Sequence, residues 1–149
     1  MKLLKKLAPM FLLLFLATNT WAQREIKIEG HDNLRFTVDT IKASPGEQLK
    51  ITLKTVSNID DKSMMAHNWV LLKKGTDGMN FITKGLQHED NDFIDPALKG
   101  QVIAHTKMLS DGETDSIVFK VPEEKGTYEY VCTFRAHYQA GMKGHLIVE

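Results

Sequence analysis

The chain has 149 residues, with 19 basic and 19 acidic residues in balance and a single cysteine. This length suits one domain with one hydrophobic core, and the lack of basic clusters argues against nucleic acid as a partner. With no second cysteine to pair within the chain, the lone thiol is a buried apolar residue, a reactive group or a metal ligand.

The first 22 residues are predicted to be a secretory signal peptide. Three lysines form a basic start, an apolar run covers 7–17, and Ala22 is a small residue suited to cleavage. The apolar run is too short for a transmembrane helix. We therefore expect an exported protein that is cleaved after Ala22, has no membrane anchor and folds as one domain over 23–149.

Most of the remaining chain consists of short segments in which polar and apolar residues alternate, as in half-buried β-strands. Turn residues such as Pro45-Gly46 and Asp111-Gly112 separate these segments. The predicted strands cover 25–29, 34–39, 48–54, 67–72, 101–105, 115–121, 127–132 and 142–149. Seven or eight short strands of this kind favour an all-β sandwich with Greek-key connections.

One long segment between the strands at 67–72 and 101–105 lacks the alternation. Its apolar residues are irregularly spaced among charged ones, and Pro96 interrupts it. We predict an excursion outside the sheets, a short helical flap around residues 76–99, that covers one side of the sandwich.

The lone cysteine begins a loop that holds two further potential metal ligands. Cys132, His137 and Met142 follow the spacing Cys-x4-His-x4-Met, and His67 lies far upstream at the start of a predicted strand. A thiolate, two imidazoles and a weak axial thioether are the ligands of blue-copper electron-transfer sites. Because a sandwich gathers its loops at its ends, His67 can meet the loop 132–142. Taken singly, each residue could be an ordinary core residue, and zinc could occupy the same ligands.

These residues resemble the azurins of the cupredoxin family. The matching segments are Met-Ala-His-Asn-Trp-Val-Leu at 65–71, Val-Ile-Ala-His-Thr-Lys at 102–107, Asp-Ser at 115–116, Cys-Thr-Phe at 132–134 and Met-Lys-Gly at 142–144. They follow the family's order and span nearly the whole chain after residue 22. The resemblance implies an eight-stranded Greek-key β-sandwich with a helical flap, one type 1 copper ion and one-electron transfer in the periplasm.

The resemblance also assigns residues to the site. It implies that His67, Cys132 and His137 are equatorial copper ligands and that Met142 is an axial ligand. The backbone carbonyl of Ala66 falls where azurins place a second, distant axial oxygen.

Two neighbours of the ligands are implied as well. Asn68 is expected to tie the upstream segment to the loop 132–142 by hydrogen bonds, and Phe134 to donate a backbone N–H to the cysteine sulfur. The loop departs from the azurins at Arg135-Ala136, where the family usually has Pro-Gly. Its interval from histidine to methionine is one residue longer than in azurin and resembles that of auracyanin or plastocyanin.

The resemblance implies an electron carrier and not an enzyme. Copper oxidases and nitrite reductases need a further copper centre, usually with His-x-His pairs, and this sequence has no such pair. A copper chaperone or storage protein remains an alternative, because the chain has seven methionines. The expected redox partners are c-type cytochromes, cytochrome c peroxidase or nitrite reductase, and the carrier is expected to be a monomer.

Overall fold

The computed structural model describes residues 23–149, so the predicted signal peptide lies outside the described residues and stays a prediction. Within them the chain forms nine β-strands, two α-helices and two 3₁₀-helices. In chain order these are β1 (Arg24–His31), β2 (Arg35–Phe36), β3 (Thr40–Ala43), β4 (Gln48–Val56), β5 (Val70–Leu72), α1 (Gly78–Gly85), the 3₁₀-helices Glu89–Asn91 and Pro96–Gln101, β6 (Val102–His105), β7 (Thr114–Lys120), β8 (Gly126–Val131), α2 (His137–Ala140) and β9 (Lys143–Val148). No helix in the described part is long and apolar enough to cross a membrane.

The strands form two sheets that enclose the core between them. One sheet has the order β2-β1-β4-β7, and the other has the order β3-β9-β8-β5-β6. Two pairs are parallel, β1 with β4 and β3 with β9, and the remaining pairs are antiparallel. The predicted all-β sandwich is confirmed; its strands number nine when the two-residue β2 is counted.

The predicted strand at 34–39 is divided between the two sheets. Its first part is β2, which pairs with β1, whereas β3 follows it and pairs with β9. The chain bends between them: the Thr37 amide donates to the Glu29 carbonyl of the first sheet, and the Asp39 carbonyl accepts from the His145 amide of the second. Polar and apolar residues alternate through the bend, so the pattern alone does not reveal the change of sheet.

The main core is centred on Trp69. Its ring lies 5.3 Å from the ring of Tyr130 and 5.9 Å from that of Phe119, measured between centroids. From the opposite sheet, the inward residues of β4, Leu49 and Ile51 among them, are fully buried. Burying each such side chain stabilises the fold by about 1.5–3 kcal/mol.

The flap covers the outer face of the second sheet, as predicted. Helix α1 begins after Asp77, whose side-chain oxygen accepts a hydrogen bond from the Asn80 amide at 3.0 Å and so caps the helix. Phe81 and Ile82 of this helix are buried in a second, smaller core that also contains Val131 of β8.

The pairing of β5 with β8 creates the site. These strands are antiparallel, with Val70 opposite Val131. The residues just before β5 therefore lie beside the residues just after β8, at the same end of the sandwich. This register brings His67 and Asn68 next to Cys132 and the loop that follows it, which we call the copper loop (132–142).

Candidate metal centre

Three potential ligands converge at this end of the sandwich. The donor atoms of His67, Cys132 and His137 lie within 4.8 Å of one another. The two Nδ1 atoms are 3.3 Å apart, and the cysteine Sγ lies 4.0 Å from Nδ1 of His67 and 3.5 Å from Nδ1 of His137. With zinc bond lengths as a guide, about 2.0–2.1 Å to nitrogen and 2.3 Å to sulfur, two ligands of one ion lie roughly 3.3–3.8 Å apart. Two of the three distances lie in this range and the sulfur-to-His67 distance of 4.0 Å lies slightly above it, so the spacing is close to that of a single metal ion's ligands.

Met142 completes the set and closes the copper loop. Its carbonyl accepts a hydrogen bond from the Cys132 amide at 3.1 Å, and its own amide donates to the His137 carbonyl at 2.9 Å. A Cβ added at Gly30 would lie 2.9 Å from both Met142 Cε and His67 Cδ2, so these two side chains lie side by side. Together the four side chains form a typical type 1 copper site.

Burial keeps the metal-free ligands uncharged. Burial, reinforced by repulsion from His137, lowers the pKa of His67 to about 4, and burial lowers the pKa of His137 to about 4. Burial raises the pKa of the Cys132 thiol to about 12. Each neutral imidazole has one nitrogen lone pair available to a metal, whereas the thiol must lose its proton before it binds one.

Asn68 ties the two segments of the site together. Its side-chain oxygen accepts the Thr133 amide at 2.8 Å, and its side-chain nitrogen donates to Thr133 Oγ1 at 2.8 Å. The threonine hydroxyl in turn donates to the Asp92 carbonyl at 2.6 Å. Our sequence reasoning did not single out Thr133 or Asp92. The threonine beside the cysteine was a possible signal, but Asp92 acts through its backbone and leaves none.

The cysteine sulfur also receives backbone contacts. The N–H groups of Asn68 and Phe134 are directed at the Cys132 sulfur and lower the pKa of its thiol, against the larger effect of burial. The resemblance implied an N–H contact from Phe134, which stays a prediction, whereas the Asn68 N–H was not singled out. The Phe134 ring also packs on the His137 ring, with centroids 4.8 Å apart.

The site is closed to solvent except at one ligand. His67, Cys132 and Met142 have no exposed surface, whereas His137 exposes 4% of its surface. Ala66 is fully buried directly before His67, and the role of its carbonyl as a distant axial oxygen stays a prediction. Solvent and other molecules therefore meet the ligand set at His137.

Comparison with known proteins agrees with this geometry. A model of copper-binding proteins, the plastocyanin/azurin family, matches residues 22–149. The azurin of Pseudomonas aeruginosa is 34% identical over 152 residues, which cover 99% of this chain and all of that protein. Auracyanin-B of Chloroflexus aurantiacus is 43% identical over 118 residues, which cover 78% of this chain and 48% of that protein. The solved structure of dithionite-reduced auracyanin from Roseiflexus castenholzii matches with a TM-score of 0.74 and 32% identity, covering 84% of this chain and 96% of that one.

Proposed function

The chain belongs to the plastocyanin/azurin family of copper-binding proteins, and from this premise we propose that it carries single electrons between redox partners. The observation that carries the proposal is a closed set of one thiol, two imidazoles and one thioether that meets the surface only at His137. Bound copper supplies the Cu(I)/Cu(II) couple, for which soft sulfur and imidazole are suitable ligands.

The protein's contribution is to keep the ligands in place while the charge changes. Cys132 directly follows β8, and the double hydrogen bond between Asn68 and Thr133 joins its strand to the His67 segment. Close packing resists displacement of buried side chains, so little rearrangement accompanies each transfer. His137, the ligand at the surface, is the route by which we propose that electrons enter and leave.

We propose a carrier and not an enzyme. Within residues 23–149 one group of histidine, cysteine and acidic side chains is close enough to hold a metal, and that group has no open face for a substrate. The copper enzymes that we considered as alternatives combine such a site with a second copper centre.

We also propose a periplasmic location and, as partners, c-type cytochromes, cytochrome c peroxidase or nitrite reductase. The basic and then apolar sequence before Gln23 supports export. Fractionation of expressing cells followed by N-terminal sequencing tests the location. We expect a periplasmic protein that starts at Gln23; an uncleaved protein in the cytoplasm would contradict the proposal.

Electron transfer can be followed by visible absorption. The copper-loaded protein should show an intense blue band that bleaches when a reduced c-type cytochrome is added, with one cytochrome oxidised per copper. Zinc-loaded protein, which has no accessible redox change, should leave the cytochrome reduced. The variant Cys132→Ser should fold but lack the blue band, because the copper–thiolate bond is its source. A colourless protein that gives up Cu(I) readily to a chelator would instead identify a chaperone.

A further inference from the structure

Consecutive residues of the copper loop contact the flap. Thr133 donates its hydroxyl to the Asp92 carbonyl at 2.6 Å. The next residue, Phe134, meets the Phe93 ring edge-on, with centroids 5.5 Å apart and planes at 79°. Arg135 follows and contacts the same aromatic ring, so the first part of the loop is attached to the flap residue by residue.

Arg135 makes two contacts with the flap. The carbon at the centre of its guanidinium lies 5.2 Å from the centroid of the Phe93 ring, and the same group forms an ion pair with Glu89. A guanidinium can stack on an aromatic ring and bind a carboxylate at the same time, because it is planar and its donors lie at its edge. The side chain is half-exposed, whereas Phe93 is buried, so the arginine closes over the ring from the solvent side.

The flap offers a firm support at this point. Asp92 and Phe93 both have left-handed backbone conformations, with φ of 54° and 57°. The Phe93 amide donates to the His88 carbonyl at 2.9 Å, and a Cβ added at Gly85 would collide with the Phe93 carbonyl. Such conformations persist in residues with a Cβ only where the surrounding contacts hold them.

The copper loop has an unfavourable conformation directly after the arginine. Ala136 has a φ of 63°, in the left-handed region that disfavours a residue with a Cβ. The next residue, His137, begins α2 and donates its amide to the Phe134 carbonyl at 3.1 Å. The conformation of one alanine therefore decides where this ligand is placed.

We propose that Arg135 is a positioning residue that attaches the copper loop to the flap. Through Phe93 and Glu89 it holds Ala136 in the left-handed conformation and so keeps His137 in the ligand set. The proposal rests on the copper site described above and adds to it a residue that does not touch the metal.

Three variants test the role of Arg135. Arg135→Ala removes the contacts with Phe93 and Glu89. The double variant Arg135→Ala/Ala136→Gly removes the same contacts but places at position 136 a glycine, which adopts the left-handed conformation without a steric cost. Arg24→Ala is the matched control. Arg24 also pairs with a carboxylate, that of Glu47 at 2.7 Å, but on the β1 strand away from the copper loop. Hydrogen exchange is measured on the metal-free proteins, and the reduction potential and copper hyperfine splitting on the copper-loaded ones.

Arg135→Ala should speed exchange of the His137 amide roughly fivefold, the factor that corresponds to a contact of about 1 kcal/mol. Its reduction potential and hyperfine splitting should shift as well. Ala136→Gly in that background should return the two copper readouts towards the wild type, because glycine adopts the left-handed conformation without a steric cost. Arg24→Ala should change none of these quantities.

The proposal is overturned if Arg135→Ala leaves both the exchange rate and the potential unchanged. It is also overturned if Ala136→Gly restores neither copper readout, since the arginine would then not act through Ala136. A wild-type protein that forms no blue site would contradict the proposed function instead. Hydrogen exchange in the metal-free variants would still decide whether Arg135 positions the copper loop.

Discussion

The Nδ1 atoms of His67 and His137 lie 3.3 Å apart, although 70 residues separate them in the chain. Both rings are buried, which disfavours their protonated forms, and burial lowers the pKa of each histidine to about 4 in the metal-free protein. Repulsion from His137 adds to this effect at His67.

The lowered pKa values of His67 and His137 make the stability of the metal-free protein depend on pH. Between about pH 6.5 and 4 the unfolded state binds more protons at His67 and His137 than the folded state does, so the free energy of unfolding falls as the pH is lowered. The loss is on the order of 3 kcal/mol for one histidine and levels off below pH 4. Urea unfolding at a series of pH values measures it. In His137→Gln the dependence should be shallower, and an equally steep one would contradict the assignment.

Metal binding should release a proton from Cys132. Because burial raises the pKa of this thiol to about 12, it is protonated at neutral pH, and a bound metal requires the thiolate. We expect one proton released per Zn²⁺ ion at pH 7, and an apparent affinity that rises about tenfold per pH unit. Calorimetry in buffers of different ionisation enthalpy counts the protons. Cys132→Ser should bind zinc weakly and without this release; a wild-type protein that releases none would contradict the prediction.

Because Gly30 has no side chain, the side chains of His67 and Met142 can lie close to its backbone. In Gly30→Ala the new methyl group would lie 2.9 Å from both side chains, so one of them must move. We expect the variant to lose about 1–3 kcal/mol of stability and to shift its visible spectrum. Gly100→Ala is the matched control, because no atom lies within 4 Å of a Cβ added there. If the two alanine variants have the same stability and the same visible spectrum, a methyl group at position 30 does not disturb the site and the prediction is wrong.

Met142 should tune the reduction potential as the axial ligand. Its side chain is fully buried beside His67, and replacing the soft thioether by a harder amide oxygen in Met142→Gln should favour Cu(II). The expected result is a lower reduction potential with the blue colour retained, measured by voltammetry. Met79→Gln changes an exposed methionine and should leave the potential unaltered. An unchanged potential in Met142→Gln would mean that this residue is not axial.

The sequence allowed most of the site to be predicted, because ligand chemistry resides in side-chain type and local spacing. Cys132, His137 and Met142 lie on one short loop, and their identities alone indicate soft and imidazole ligands. Two contacts that the prediction missed are made by backbone groups. Asp92 accepts a hydrogen bond through its backbone carbonyl, and Asn68, whose side chain was predicted to matter, also directs its backbone N–H at the sulfur.

The sequence by itself also determined the sandwich, since alternation with a period of two leaves each strand one apolar face to bury. Only the tertiary structure decided which strands pair, where the chain changes sheets near Thr37, and that Arg135 turns onto the flap. These features depend on packing between segments far apart in the chain, and on left-handed conformations such as that of Ala136, which local residue patterns do not encode. The pairing of β5 with β8 is the clearest case, because it alone brings His67 to the cysteine.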